Sequence, residues 1–165
     1  MSDAPRPIGP PSDSEHPGTS EVTATVIVKA AADRVFTALT AWERQGEWIP
    51  FTVVRITKGD GGVGSTVEVV TTVGPAVLTD IMQIESIDRP YQVKVLHTGK
   101  ILRGPGVMRC TAMGPTRTQV VWHEWFQLPG GLAGRLAWSV MWPGSKASLT
   151  AALKRFARLV EDGTL

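Results

Sequence analysis

Two periodicities organise this chain: apolar and polar residues alternate through its first two thirds, and a helical repeat takes over near the end. In Glu21–Val28, residues Val22, Ala24, Val26 and Val28 share one parity, and Glu21, Thr23 and Thr25 the other. That is the pattern of a half-buried strand. Strand text returns at Phe51–Thr57, Ser65–Val73, Val77–Ile87, Tyr91–His97, Arg103–Met113 and Thr118–Leu128. Turn clusters separate these runs: Gly59-Asp60-Gly61-Gly62, Gly74-Pro75, Asp88-Arg89-Pro90 and Gly114-Pro115-Thr116. About seven strands with short connections predict an antiparallel meander.

Helical text frames the strands. Asp33 stands where an N-cap or first-turn acid belongs, ahead of Val35, Phe36 and Leu39 at helical spacing. A second short piece, Trp42–Trp48, ends before Pro50, whose ring disfavours helix at Ile49. Leu132–Met141 is apolar on most sides, with Arg135 its one charge, and Pro143 is expected to break or kink any helix there. From Ser145 a long helix runs to about Glu161 and stops at Gly163. Leu149, Leu153, Phe156 and Val160 fall on one face of it. A sheet with one apolar face needs a cover, and this helix is the element long and amphipathic enough to supply it. The class is therefore α+β.

Composition adds boundaries. The chain has 165 residues, 42% hydrophobic and 19% charged, ordinary for one globular domain with a real core. Residues 1–20 are rich in Pro, Gly and Ser and read as a disordered tail, leaving 21–165 as the folded domain. A single cysteine, Cys110, forbids an internal disulfide, and no apolar stretch resembles a signal peptide or a membrane span. A cytoplasmic location is the simplest expectation. The net charge is +2, without a basic run or stripe, which argues against nucleic acid. The tail carries Arg6 against Asp3, Asp13 and Glu15, so the remainder holds +4, enough for a transient contact with an anionic membrane surface.

Strand Thr118–Leu128 poses the chemical question. Its parities are Val120, Trp122, Glu124, Phe126 and Gln119, Val121, His123, Trp125, so one of His123 and Glu124 faces inward. The first set is more apolar, which favours Glu124 inside, where its raised pKa would suit general acid–base work. The plainer alternative pairs Glu124 with an arginine such as Arg109, or leaves it in solvent. Asp80 and His97 also lie on strands, and Glu124 stands as a lone candidate without the second group that acid–base chemistry normally needs. Metal-ligand spacing is absent, as are a phosphate-binding loop and a nucleophile elbow, so no metal and no cofactor are implied. Gly104-Pro105-Gly106 interrupts a strand and reads as a bulge or a mobile loop.

The order strand, two short helices, six strands, long helix resembles the START-like or Bet v 1-like (SRPBCC) superfamily, nearest its polyketide cyclase/dehydrase branch. The likeness is carried by Val28-Lys29-Ala30-Ala31-Ala32-Asp33-Arg34-Val35-Phe36, Trp48-Ile49-Pro50, Gly61-Gly62-Val63-Gly64-Ser65 and Thr118-Gln119-Val120-Val121-Trp122. It covers roughly residues 21–162. The resemblance implies a helix-grip fold: a seven-stranded curved antiparallel sheet around the C-terminal helix, with two short helices after strand one. It also implies a cavity between sheet and helix that takes a hydrophobic small-molecule ligand.

On that picture the tryptophans become wall candidates, being large, with one N–H that wants a partner when buried. Trp42 and Trp48 flank the implied mouth, and Trp138 lies near it with Met141. Phe51, Val69, Trp122 and Phe126 come from the sheet side, and Leu149, Leu153 and Phe156 from the helix. The first reading is binding or transport of a lipid, fatty acid or polyketide-like molecule. The alternative is a polyketide cyclase or dehydratase using Glu124 or His123. A third is an interaction module docking through its tail or the Trp138–Trp142 segment.

Overall fold

The computed structural model describes residues 20–127 and 130–165, without side-chain detail for 132, 134, 135 and 137–143. The element order is β1 (Ser20–Val28), α1 (Ala32–Leu39), a 3₁₀ helix (Trp42–Glu47), β2 (Thr52–Lys58), β3 (Thr66–Val73), β4 (Ala76–Asp88), β5 (Gln92–Thr98), β6 (Arg103–Ala112), β7 (Thr118–Phe126) and α2 (Gly131–Glu161). All seven strands form one antiparallel sheet in the order β1-β7-β6-β5-β4-β3-β2. Each strand from β2 to β7 pairs with its chain neighbour, and β1 closes the far edge on β7. This is the predicted helix-grip architecture. The chain remains helical across Pro143 instead of breaking there. A proline forfeits one backbone hydrogen bond, and a helix of 31 residues retains the rest.

The strand parities decide what faces α2. Ala24 and Val28 of β1 point inward with Val93 and Val95 of β5, Met108 and Cys110 of β6, and Val120 of β7. Ala152, Leu153, Phe156, Ala157 and Val160 of α2 close over them. Each large apolar side chain buried this way contributes about 1.5–3 kcal/mol. The C-terminal end of α2 is anchored on the β1–α1 junction. Arg34 Nη2 donates to Val160 O at 2.6 Å, and the Lys29 amide donates to Glu161 Oε1 at 2.8 Å. The last two turns of α2 are therefore fixed against a filled core. No helix among the described residues is long and apolar enough to cross a membrane.

Gly104-Pro105-Gly106 is neither a bulge nor a mobile loop. It lies in β6, paired with β5 in unbroken register from Gln92↔Arg109 to Thr98↔Arg103. Its glycines answer close approach. A Cβ on Gly104 would fall 2.0 Å from the Trp125 carbonyl oxygen, and one on Gly106 would fall 2.2 Å from Glu124 Oε2.

Candidate functional site

Towards the other end of α2 the sheet and helix do not meet, and a cavity of about 600 Å³ lies between them. Ligand pockets in proteins typically measure about 300–1,000 Å³. Val22, Val69, Leu78, Met82, Trp122 and Phe126 line it from the sheet, and Leu149 from the helix. Ile49 and Pro50, after the 3₁₀ helix, complete the apolar wall. Gly144 and Ser148 line it too and are exposed, so the cavity opens beside them.

One stretch of the wall is charged. His97 on β5 stands between two carboxylates: its Nδ1 lies 2.6 Å from Asp80 Oδ2, and its Nε2 lies 2.8 Å from Glu124 Oε2. The Trp122 indole N–H donates to the other Glu124 oxygen, Oε1. All three charged residues line the cavity, yet Asp80, His97 and Glu124 are only 6%, 6% and 4% exposed. Phe126 packs edge-on against the His97 ring, with centroids 5.7 Å apart. Burial alone would lower the pKa of His97. The charge of Glu124 and the hydrogen bonds to Asp80 and Glu124 outweigh it and push the pKa up to about 10. His97 is therefore an imidazolium at neutral pH, donating from both nitrogens. No lone pair on its ring is left for a metal.

Sheet register brings the cluster together. His97 is level with Met82 on β4 and Gly104 on β6, and Glu124 on β7 is level with Gly106. Asp80 stands two residues from Met82 on the same face. Glu124 and His97 are separated by a whole strand, and the Glu124 carboxylate crosses it over Gly106, in the place a Cβ would take.

Several predicted wall residues lie elsewhere. Val69, Trp122, Phe126 and Leu149 do line the cavity. Phe51 does not: it precedes β2 at φ 60° and is 72% exposed, because the positive φ turns it out of the strand's alternation. Leu153 and Phe156 share Leu149's helix face but lie one and two turns further on, where the core is solid. Trp48 packs against Phe156 and Trp122 at centroid distances of 5.1 and 5.7 Å, inside that core. Trp42 donates its N–H to Gly61 O at 2.9 Å, is buried and does not line the cavity. Trp138 and Met141 lie outside the residues described in side-chain detail, as does the whole Trp138–Trp142 segment. The tail before Ser20 is outside the described residues altogether.

His123 is excluded from the cavity. It faces the opposite side of β7, 2.5 Å from Thr23 Oγ1, with its ring 4.0 Å from that of Trp125. Glu124 does not pair with Arg109, which donates to Gln92 Oε1 at 2.8 Å. The groups missed from sequence are His97 and Asp80. Their parity was readable, since both alternate with inward residues (Val93 and Val95; Met82 and Ile84). Cys110 is buried, which pushes its thiol up to about 12, and it is no nucleophile at neutral pH.

Comparison with known proteins adds the lineage. The family described as polyketide cyclase/dehydrase and lipid transport matches residues 19–161. The chain belongs to this family. No curated protein sequence matches it. Among solved structures, a Thermus thermophilus protein superposes with TM-score 0.76 at 16% identity, covering 88% of this chain and all of that one. The Zhui aromatase/cyclase of a Streptomyces strain gives 0.67 at 24% identity, covering 86% of this family member and 96% of itself. Norcoclaurine synthase from Thalictrum flavum gives 0.67 at 15% identity over 87% of each chain. Identities this low establish the shared fold alone.

Proposed function

We propose that this family member binds an apolar small molecule in the cavity between its sheet and α2. The observation that carries this reading is the cavity itself, about 600 Å³ in size, with aliphatic and aromatic walls and one polar stretch. Native mass spectrometry of gently purified protein should show an adduct that organic extraction removes. An environment-sensitive apolar fluorophore should bind the wild type and bind markedly weaker to Val69→Trp, whose indole takes up part of the cavity. Neither an adduct nor a difference between wild type and Val69→Trp would count decisively against the reading. Phe51, Val77 and Ile101 are exposed, and each adjoins a lining residue in sequence, which supports transient membrane contact during loading. Vesicle co-sedimentation, lost in Val77→Glu, tests it.

The buried cluster favours a second reading, proton transfer on a bound polyketide-like molecule with Glu124 as the group nearest substrate. General acids and bases work best with a pKa near the operating pH. An imidazolium held up to about 10 is instead locked in one state, which suits fixing charge better than passing protons. Ligand binding therefore comes first. Glu124→Gln separates the two: the enzymatic reading requires loss of turnover with binding retained.

A further inference from the structure

The charged stretch of wall says what the polar end of the ligand must be. Each ring nitrogen of His97 lies at hydrogen-bond distance from a different carboxylate oxygen, 2.6 Å for Asp80 and 2.8 Å for Glu124. Each of those contacts requires one proton between its two heavy atoms. Two protons shared by one imidazole and two carboxylates leave the cluster with a net charge of −1.

Donors and acceptors are equally unbalanced. Both His97 N–H groups are committed to the carboxylates, and the Trp122 N–H is committed to Glu124 Oε1. Thr52 donates to Pro50 O and shares a hydrogen bond with Thr71, and Gln45 Nε2 donates to Leu39 O. The hydroxyls of Ser145 and Ser148 also line the cavity, but on α2 at its open side, away from the charged stretch. Acceptor capacity is left over. A carboxylate offers about four lone-pair sites, and each Glu124 oxygen accepts one bond here. Asp80 Oδ1 also lacks a hydrogen-bond partner, but it is sealed off beside Gly99 and does not meet the cavity, so the acceptor open to a ligand is Glu124. No lysine or arginine is among the described residues that line the cavity.

We infer that the ligand presents a hydrogen-bond donor, an ammonium or a hydroxyl, to Glu124 at the face of this net-negative cluster, and that molecules ending in a carboxylate are rejected. This rests on the cavity-ligand reading and narrows it, setting free fatty acids aside. A fatty carboxylate would place a second anion against a net-negative wall in a poorly screened interior, with no committed N–H free to receive it.

The test uses the full chain and three probes with the same alkyl tail: octylamine, octan-1-ol and octanoate. Their affinities are measured at neutral pH by displacement of the apolar fluorophore. The decisive pair is octylamine and octanoate, because both lose a charged head's hydration on entry and differ only in sign. Octylamine should bind tighter than octanoate by about tenfold or more, with octan-1-ol also ahead of octanoate. Asp80→Asn neutralises the cluster and should shrink the gap between amine and carboxylate to about threefold or less. Octanoate binding as well as octylamine to the wild type overturns the inference and leaves the cavity reading standing. No probe binding, with the fluorophore equally indifferent to Val69→Trp, overturns both. The wild-type order decides even if Asp80→Asn fails to fold.

Discussion

Replacing Glu124 with glutamine keeps its shape and removes one charge from the cluster. In the wild type, Glu124 Oε2 lies 2.8 Å from His97 Nε2, and Oε1 receives the Trp122 indole N–H. Opposite unit charges about 4 Å apart attract by about 4 kcal/mol at an effective dielectric constant of ~20. Each 1.36 kcal/mol is a factor of ten in protonation, so the variant should weaken the hold of His97 on its proton by up to roughly a thousandfold. Its titration should move from about 10 back towards neutrality. The amide also offers one oxygen to two donors. One of the His97 and Trp122 N–H groups then faces an NH₂, costing about 1–3 kcal/mol of stability. Long-range ¹H–¹⁵N spectra of the imidazoles, followed from about pH 5 to about pH 11, read the first effect directly. His97→Gln assigns the resonance among the three histidines. Urea denaturation reads the second. An imidazole of His97 that titrates at the same pH in wild type and Glu124→Gln would refute the charge coupling on which the cluster's interpretation stands.

Other expectations follow from the same geometry. Gly106→Ala puts a methyl group 2.2 Å from Glu124 Oε2 and should cost about 3 kcal/mol in urea unfolding by levering the carboxylate off His97; a loss under about 1 kcal/mol would mean the carboxylate has room to move. Because His97 is held above its ordinary 6.5, its stabilising contribution is fully present below that pH and is lost as pH rises through about 10. The wild type should therefore lose more thermal stability than His97→Gln over that interval, and parallel profiles would contradict it. Leu153→Ala, in solid core, should cost about 2–5 kcal/mol, whereas Leu149→Ala, beside open cavity, should cost about 1 kcal/mol; equal losses in denaturant unfolding would show that the space is not there.

The architecture was legible because alternation and turn chemistry were both strong. Ser20–Val28 and Thr118–Phe126 came within two residues of their expected bounds, and the parity of Thr118–Leu128 alone placed Trp122, Glu124 and Phe126 on one face. What parity cannot supply is the neighbour across the sheet. Glu124, His97 and Asp80 are far apart in sequence and meet only through the strand order β7-β6-β5-β4 and its register. Glu124 therefore read as a lone carboxylate in need of a partner. Helical spacing had the same limit at Leu149, Leu153 and Phe156, which share one face. Only the tertiary fit of α2 separates the residue beside the cavity from the two in solid core. At Phe51 a backbone with φ 60° overrode the alternation, and nothing local in its apolar side chain signals that.

One glycine of β6 connects these observations. Neighbouring strands lie about 4.8 Å apart, so groups two strands away from each other are normally kept apart by the side chain between them. Glu124 and His97 touch because Gly106 carries no side chain, and the Glu124 carboxylate occupies the place its Cβ would take. Placing two carboxylates and an imidazolium in the cavity wall costs several kcal/mol per ion before their mutual attraction offsets it. Well-packed apolar residues would stabilise the same sheet at least as well. The arrangement is therefore better explained by what it holds than by what it stabilises: a fixed negative pole at one side of an apolar chamber, matched to a donor on an otherwise apolar molecule.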